Sequence, residues 1–501
     1  MPKSGTAVEL DRAHEPFVLA LDVGSTASRG GLYDAAGRPV HGVRHKIPHR
    51  FTSAADGTSE IDPDLVVNEI SQLITAVTSC RPGVRVAGVA LDTFASSLIG
   101  VDAAGTALTP CYTYADSRCA PQLAQLRAEL DEGAVHDRTG ARLHTSYLPA
   151  RVRWLRESAA DVFARVTRWL SIGEYVHLRL LGDTAIGTST AAWTGMLDRR
   201  TGRWDQPMLD AAGIDPGQLS EIREPGWSLH DDGRAARRWP GVAGSAWFPV
   251  VADGFASNVG AGAADESTIA AAAATSGAMR VLVSGNPEAV PAGLWCYRVD
   301  ASRSLVGGAL SDVGRLVTWL QETLAVDRPG APLDTEAVML AAPKSDTPLV
   351  LPYLTGERST GWVGDARAVF AEISVDTAAP QLFRGALEGV AMIYARVARE
   401  LQQVAGPARR IVASGRVTND LPAWLQVLAD ALGAPVEHVT MKRTTLHGTA
   451  LIALETIAPD VSRAPVDTGT TYEPTAGNAP YYRTLQERSQ ALYDAVIAPS
   501  A

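Results

Sequence analysis

The chain has 501 residues, a net charge of −10, 46% hydrophobic residues and 20% charged residues. This composition is typical of a globular protein with more than one core, and it excludes disorder, collagen and coiled coil as descriptions of the whole chain. The length corresponds to about three domains or to two large ones. Since no stretch carries a dominant basic cluster, nucleic acid is not an expected partner.

Lysine is scarce. Of the 45 basic residues only four are lysines, namely Lys3, Lys46, Lys344 and Lys442. A P-loop requires Gly-Lys-[Ser/Thr], whose lysine contacts the β- and γ-phosphates. None of the four lysines follows a glycine, and none lies in a Val-Ala-Ile-Lys strand. P-loop NTPases are therefore excluded, and a protein-kinase core is disfavoured.

The four cysteines, Cys80, Cys111, Cys119 and Cys296, show no CxxC spacing. A disulfide framework or a structural zinc site is therefore not expected, and a reducing, cytoplasmic location fits best. No run of 18 apolar residues exists, so no membrane is an expected partner. Residues 1–16 carry charges without an apolar segment, and we expect them to form a disordered tail.

An acidic residue ends the first predicted strand. The apolar run over residues 17–22 ends at Asp22, and the turn that follows contains Gly24, Ser25 and Thr26 before a second extended run begins. Backbone amides and hydroxyls in such a turn bind phosphate, and an adjacent acid suits Mg²⁺. From these residues alone, a hairpin turn capped by the aspartate remains the alternative.

The same strand–turn–strand pattern recurs half a chain later, with a turn at Thr275, Ser276 and Gly277. A third turn of this composition, Ser414 and Gly415, follows a strand and precedes a helix. Strands and helices alternate over most of the chain, which predicts an α/β fold with mostly parallel sheets. Three such turns in one chain favour two related halves that close on a nucleotide.

Asp253 stands at the start of a predicted helix of small residues. An acid in this position is most often an N-cap. The functional alternative is a general base that takes a proton from a hydroxyl group. Composition does not separate the two interpretations.

Ten blocks, in order, carry a resemblance to a known family: LDVGSTASRGGLYD (21–34), VALDTFASSLIGVD (89–102), YADSR (114–118), LHTSYLPARVRWL (143–155), SIGEYVHLRLLG (171–182), ADGFASNVGAG (252–262), ATSGAMR (274–280), GERSTGW (356–362), ASGRVTNDLPAWLQVLADALG (413–433) and HGTALIAL (447–454). The chain resembles the FGGY family of carbohydrate kinases, within the actin-like ATPase superfamily, over about residues 17–456. Several blocks, among them TSGAMR and GERSTGW, are most similar to the gluconate kinase branch.

The resemblance implies an α/β fold of two actin-like (ribonuclease H-like) ATPase domains with a nucleotide cleft between them. The N-terminal domain would span 17–262 and the C-terminal domain 263–457, and an extension over 458–501 would end in a helix. The implied activity is ATP- and Mg²⁺-dependent phosphorylation of a sugar or sugar acid, with gluconate as the first candidate. A kinase of a neutral pentulose or polyol, and a weakened member that only binds a sugar or nucleotide, are the alternatives. A homodimer remains open.

The family's functional positions carry over to matching residues of this chain. Asp22 matches the acid associated with the metal, and Asp253 matches the catalytic base. The positions that match ATP contacts are Gly24, Ser25 and Thr26 with Arg29 behind them, Thr275, Ser276 and Gly277, and then Gly314, Gly415 and Asn419. The positions on the sugar side are Ser96, Asp116, Arg118 and Tyr147, together with Asp253.

The chain departs from the family pattern in four places. Ala95 and Ser96 stand where close relatives usually have an aromatic residue and a histidine. Ala274 replaces a glycine before the second turn, Arg416 replaces the second glycine of the adenosine motif, and Thr449 replaces an alanine near the end. These differences bear on the choice of substrate and on nucleotide affinity.

A sugar acid requires a cationic or amide partner for its carboxylate. The candidates chosen from the sequence are Arg118, Arg142 and Arg151. Glu357 and Arg358 are expected to form a structural ion pair near the cleft rather than a phosphate clamp.

Overall fold

Two β-sheets, one in each half of the chain, organise the structure. The computed structural model describes residues 7–80, 83–324 and 332–498. The first sheet has the spatial order Ala246–Trp247, Val86–Thr93, Phe17–Val23, Ala27–Tyr33 and Pro39–Pro48, and Val251–Ala252 also pairs with Val86–Thr93. Phe17–Val23 is parallel to Val86–Thr93 and antiparallel to Ala27–Tyr33. Every residue of Phe17–Val23 is buried, which explains its continuous apolar pattern.

The second sheet repeats this arrangement. Its spatial order is Trp295–Arg298, Arg303–Leu310, Gly277–Ser284, Thr268–Ala273, Arg410–Ser414, Val436–Val439 and Thr468–Tyr472. Thr268–Ala273 is antiparallel to the strand after its turn and parallel to Arg410–Ser414. The strand–turn–strand pattern predicted near residues 25 and 275 is therefore present in both halves, with the same pairing.

Helices cover the two sheets. The longer ones are Pro63–Cys80, Ile172–Leu181, Asp253–Gly260, Gly314–Thr323, Ala379–Ala405, Trp424–Leu432, Thr444–Ile457 and Ala479–Val496. Ala379–Ala405 buries residues such as Phe383, Leu387 and Val390 at intervals of three or four, which is an amphipathic pattern.

Shorter elements fill the connections. The additional helices are Ala120–Glu129, Glu132–Thr139, Leu148–Ser158, Ala160–Phe163, Thr188–Ala192, Gln206–Ala212, Arg234–Arg238, Thr335–Leu340 and Arg416–Asp420, with 3-10 turns at Leu10–Arg12, Pro216–Gln218, Pro240–Val242 and Ala476–Asn478. Small sheets join Thr52–Ser53 to Ser59–Ile61 and Cys111–Tyr112, Ile99–Val101 to Arg168–Leu170, Ile186–Gly187 to Ile222–Arg223, Leu197–Asp198 to Arg203–Trp204, and Leu349–Leu351 to Val369–Ala371.

One helix crosses from its own half to the other. Thr444–Ile457 follows the second sheet in sequence, but its apolar residues pack on the first sheet. Leu446, Ala450 and Leu454 join a buried cluster with Val18 and Ala20. The last helix, Ala479–Val496, instead packs its buried tyrosines into the core of the second half. The strand Thr468–Tyr472 and the last helix are thus part of the second half, whereas Ala458 and Ala464 contact the first half.

The helices Asp253–Gly260 and Thr444–Ile457 touch through their backbones. A Cβ atom on Gly260 would lie 1.8 Å from the carbonyl oxygen of Thr444, and a Cβ atom on Gly448 would lie 1.8 Å from that of Ala256. No side chain larger than hydrogen fits at either position.

The N-terminal tail is shorter than predicted. Residues 1–6 lie outside the described residues. Val8 is buried, and its amide donates a hydrogen bond to the carbonyl oxygen of Pro39. The amide of Ala35 donates to the carbonyl oxygen of His14. Residues 8–14 are therefore packed on the first sheet, contrary to the disordered tail expected over 1–16.

The described residues allow three further statements. None of their helices is long and apolar enough to cross a membrane. Among them, Cys111, Cys119 and Cys296 are buried thiols. They contain no group of three or more histidine, cysteine, aspartate or glutamate side chains that could hold a metal ion.

The helix crossing gives a stability prediction. We expect Gly448→Ala to lower the free energy of unfolding by about 2 kcal/mol, because the new methyl group forces the two backbones apart. Urea denaturation measures this change. Gly217→Ala is the matched control, since nothing lies within 4 Å of a Cβ atom there. Equal midpoints for the two variants would contradict the close crossing.

Candidate active site

The first turn, residues 24–26, joins two strands of the first sheet and lies beside an ion pair. Asp22 is 4% exposed, and its Oδ2 accepts a hydrogen bond from Arg29 Nη1 at 2.8 Å. Burial raises the pKa of Asp22, and the charge and hydrogen bond of Arg29 oppose that rise. The turn closes through a hydrogen bond from the Gly24 amide to the carbonyl oxygen of Ala27 at 3.1 Å.

A buried histidine supports the same turn. His49 Nε2 lies 2.8 Å from the carbonyl oxygen of Gly24, and His49 Nδ1 lies 2.9 Å from Glu69 Oε2. Burial disfavours the charged ring, but the hydrogen bond and charge of Glu69 outweigh it and raise the pKa of His49. With both ring nitrogens facing oxygen atoms, a protonated His49 donates in both directions and fixes the carbonyl side of the turn.

A second carboxyl group lies next to Asp22. Asp92 is its register partner on the adjacent parallel strand and is fully buried. Thr449 Oγ1 donates a hydrogen bond to Asp92 Oδ2 at 2.5 Å. Burial, followed by the charge of Asp22, raises the pKa of Asp92 well above its ordinary value. Sequence reasoning noted Thr449 only as a departure and missed Asp92, because the contact joins residues far apart in the chain.

The second turn, residues 275–277, contacts the start of a helix. The amide of Gly314 donates to the carbonyl oxygen of Ala274 at 2.8 Å, and the amide of Arg315 donates to that of Thr275 at 3.0 Å. A Cβ atom on Gly314 would lie 2.5 Å from the Ala274 oxygen, so this close approach requires glycine. The structure thus brings Gly314 to the second turn.

The third turn, residues 414–415, is held by the helix after it. Asn419 Nδ2 and Thr418 Oγ1 both donate to the carbonyl oxygen of Gly415, at 2.7 Å and 2.9 Å. Gly415 packs against the backbone of Ala273, at the end of the strand before the second turn. Arg416 is turned outward, with 63% of its side chain exposed. Gly415 and Asn419 therefore lie together near the second turn, and their contact with ATP stays a prediction.

A cavity of about 210 Å³ lies between the first and second turns. Ser25 and Ser276 line it from opposite halves, and Asp253 lines it as well. Seven aromatic residues form much of the wall: Phe94, Tyr114, Tyr147, Trp193, Trp295, Tyr297 and Trp362. Trp295 and Tyr297 are stacked with centroids 4.4 Å apart. Such a wall suits the C–H faces of a small polar ligand, whose hydroxyl groups then reach the polar residues.

Asp253 is the first residue of its helix, and Ala252 occupies the N-cap position. The capping interpretation of Asp253 is therefore wrong. Burial raises the pKa of Asp253 to about 6, with the charge of Arg280 acting in the opposite direction. Asp253 is thus ionised at neutral pH, as a general base requires, and its pKa is close to the working range.

Besides Asp253, two of the four other predicted sugar-side residues line the cavity. Ser96 and Tyr147 do so, and the Tyr147 hydroxyl lies 2.5 Å from the Tyr297 hydroxyl. Asp116 and Arg118 do not line it. Asp116 Oδ2 accepts hydrogen bonds from the Ser59 amide at 3.0 Å and from Arg118 Nη2 at 2.6 Å. This pair joins two segments of the chain, and its contact with the sugar stays a prediction.

The other arginines proposed as partners of a substrate carboxylate also bind groups of the protein itself. Arg142 is paired with Glu132 at 3.1 Å, and Arg151 donates to the carbonyl oxygen of Ser96 at 2.8 Å. Neither lines the cavity.

Two other arginines, Arg280 and Arg358, line the cavity instead. Glu357 is paired with Arg396 at 3.5 Å, so the expected pairing of Glu357 with Arg358 is wrong. The sequence pattern could have indicated Arg280. Side chains alternate along a strand, so Arg280 lies on the same face of its strand as Ala278, which also lines the cavity.

The residues near the first turn fit Mg²⁺. This ion prefers oxygen ligands and usually keeps several waters, with one or two carboxylates and substrate phosphates completing its shell. Asp22 and Asp92 lie side by side, and the hydroxyl groups of Ser25 and Thr26 are near in sequence. Asp22 is the residue that would hold the ion, directly or through water.

Comparison with family models matches residues 17–243 to the N-terminal domain and residues 270–456 to the C-terminal domain of the FGGY family of carbohydrate kinases. The chain belongs to this family. The two actin-like, ribonuclease H-like halves predicted from the resemblance are therefore confirmed.

Gluconokinases and glycerol kinases are among the similar curated proteins. The gluconokinase of Bacillus subtilis (strain 168) is 26% identical over 484 residues, covering 94% of each chain. The gluconokinase of Bacillus licheniformis is 25% identical over 431 residues, covering 84% of this chain and 83% of its own. A glycerol kinase of Citrifermentans bemidjiense is 26% identical over 455 residues, covering 87% and 89%.

Solved structures support the same fold. The gluconate kinase from Lactobacillus acidophilus superposes with a TM-score of 0.87 at 24% identity, over 96% of this chain and 98% of its own. The xylulose kinase from the same organism superposes with a TM-score of 0.89 at 24% identity, over 96% and 99%. At this identity the likeness concerns the fold.

The contact between Gly314 and the second turn gives a testable prediction. We expect Gly314→Ala to weaken ATP binding about tenfold, because the new methyl group pushes the turn away from the helix. Isothermal titration calorimetry measures the change in Kd. Gly477→Ala is the control, since a Cβ atom there meets nothing within 4 Å. An unchanged Kd in a folded Gly314→Ala protein would remove Gly314 from the nucleotide site.

Proposed function

We propose that this protein phosphorylates D-gluconate, converting ATP and D-gluconate to ADP and 6-phospho-D-gluconate. The observation that carries the proposal is the position of Asp253 in a cavity bordered by both the first and the second turn. A carboxylate with a pKa of about 6 therefore shares one small space with two turns rich in amides and hydroxyls.

In the proposed reaction, Asp253 accepts the proton of the terminal hydroxyl group. The hydroxyl oxygen forms a bond to the γ-phosphorus, and the bond from that phosphorus to the bridging oxygen of ADP breaks. The first and second turns hold the phosphates through backbone amides and hydroxyls. Asp22 would hold Mg²⁺ directly or through water, and the ion would supply neutralisation of phosphate charge. Positioning and electrostatics supply most of the rate in such reactions.

Two observations support a sugar acid as acceptor. The two gluconokinases described above match 94% and 84% of this chain. The charged residues of the cavity are Arg280, Arg358 and Asp253, so its net charge is positive when Asp253 is ionised. A positive cavity favours an anionic acceptor over a neutral one.

A kinase of a neutral pentulose or polyol is the second candidate. Its support is the aromatic wall, since Trp193, Trp295 and Tyr297 offer large apolar faces to any sugar. Glycerol and xylulose kinases are also among the similar proteins. We expect the enzyme to act in the cytoplasm, where its buried cysteines remain thiols.

A coupled assay of ADP release over a panel of sugar acids, ketoses and polyols tests the proposal. We expect the highest kcat/KM with D-gluconate. A clear preference for a neutral substrate would replace gluconate by the second candidate. No ADP release with any acceptor, together with undetectable ATP binding, would instead support a weakened binding protein.

The role of Asp253 has its own test. We expect Asp253→Asn to lower kcat by about 10²–10⁴ because the amide cannot accept the hydroxyl proton. ATP binding, measured by calorimetry, should stay close to that of the native protein. Asp210→Asn is the control, because Asp210 is exposed and outside the cavity. Native turnover by Asp253→Asn would show that the base is a different residue.

The pKa of Asp253 also predicts a pH profile. Because the base works only when deprotonated, kcat/KM should fall as pH drops through about 6 and level off above it. Arg280 lowers the pKa of Asp253, so Arg280→Met should move this acid limb to higher pH, and Arg280→Lys should move it less. Initial rates from pH 5 to 8 measure the limb. An identical limb in all three proteins would contradict the electrostatic role of Arg280.

A further inference from the structure

We propose that Arg358 binds the carboxylate of the acceptor and thereby selects a sugar acid over the corresponding neutral polyol. The proposal rests on the function proposed above and deepens it, because it assigns substrate selection to one side chain of the cavity.

Arg358 faces the cavity without an ion pair. Three other arginines, all outside the cavity, are paired: Arg142 with Glu132, Arg315 with Asp312, and Arg396 with Glu357. Arg280, the second arginine of the cavity, interacts with the charge of Asp253. Over the described residues, the side chain of Arg358 has no carboxylate within ion-pair distance and no hydrogen bond. A guanidinium group in a cavity requires an anion to complete its hydrogen bonds, and a carboxylate matches its geometry in a bidentate way.

The backbone around Arg358 is held on both sides. Glu357 is buried, and its carboxylate accepts hydrogen bonds from the Tyr493 hydroxyl at 2.5 Å and from the Gly361 amide at 3.1 Å. Ser359 exchanges two hydrogen bonds with Ala309, each 3.0 Å long. The backbone around Arg358 is therefore fixed, and the guanidinium group remains available to a ligand. Such preorganisation reduces the entropy lost on binding.

The groups near Arg358 suit an anionic ligand. Burial, followed by the charge of Arg358, lowers the pKa of His144 to about 3, so His144 is neutral at pH 7. His144 Nδ1 accepts a hydrogen bond from the Ser146 amide at 3.1 Å. The proton of the neutral ring is then on Nε2, which is available as a second donor to the same anion. No acid among the cavity-lining residues other than Asp253 opposes this arrangement.

The alternative ligand of Arg358 is the transferring phosphoryl group. Other arginines already lie at the two turns: Arg29 beside the first and Arg315 at the second. Arg358 shares the cavity instead with Tyr147 and Trp362. We therefore assign Arg358 to the acceptor, and the experiment below separates the two ligands.

The test compares D-gluconate with D-glucitol, which carries a hydroxymethyl group in place of the carboxylate. The proteins are the native enzyme, Arg358→Met, Arg358→Lys and the control Arg142→Met, whose arginine is paired outside the cavity. In Arg358→Met we expect kcat/KM for gluconate to fall about 100-fold, mainly through KM, with a similar rise in the calorimetric Kd of gluconate. In Arg358→Met the ratio of kcat/KM for gluconate to kcat/KM for glucitol should fall steeply. Arg358→Lys should recover part of this ratio, and Arg142→Met should keep the native ratio.

Each contrary outcome identifies what has failed. If the native enzyme phosphorylates no sugar acid, the proposed function fails, and the inference fails with it. If the native enzyme prefers gluconate and a folded Arg358→Met protein keeps that preference and the native Kd, the inference alone is overturned. If Arg358→Met raises KM for ATP and lowers both acceptor activities equally, Arg358 binds phosphate and the inference is overturned.

Discussion

Two helices cross so closely that neither can carry a side chain at the crossing point. Gly260 and Gly448 bring the backbones of Asp253–Gly260 and Thr444–Ile457 into contact. Asp253 begins one of these helices, and Thr449 directly follows the glycine of the other. The crossing therefore sets the position of the proposed base relative to Asp92 and, through the strand register, to Asp22. A wider crossing would move the base and the acids apart.

The scarcity of lysine agrees with how the two halves are built. Each half offers a turn of glycine and hydroxyl residues between two antiparallel strands, and the next helix or strand supports that turn through backbone hydrogen bonds. No lysine lines the cavity. Fixed positive charge comes from arginines. Arg29 is paired with Asp22 at the first turn, and Arg358 has no ion pair among the described residues. In this arrangement, backbone geometry determines where the phosphates can bind, and side-chain charge determines which acceptor joins them.

Much of this architecture could be predicted from local sequence. The two strand–turn–strand patterns and the place of Asp253 at a helix start follow from short segments, whereas Gly314 and Asn419 came from the family resemblance. What local sequence does not give has a different origin. The carboxylate of Asp116 accepts a hydrogen bond from the Ser59 amide, more than fifty residues earlier in the chain. Arg358 was expected in an ion pair, but Glu357 points to Tyr493 instead. Which way a polar side chain turns depends on partners that only the folded chain brings near.

The position of the helix Thr444–Ile457 has a consequence for folding during synthesis. The first sheet is complete in sequence before residue 253, yet Val18, Ala20 and Ala90 stay uncovered until this late helix arrives. By then the central strands of the second sheet have been synthesised. The first half thus leaves the ribosome with this apolar face open. Dividing the chain between the two sheets would separate the first sheet from the helix that covers it, and would leave that face exposed to solvent.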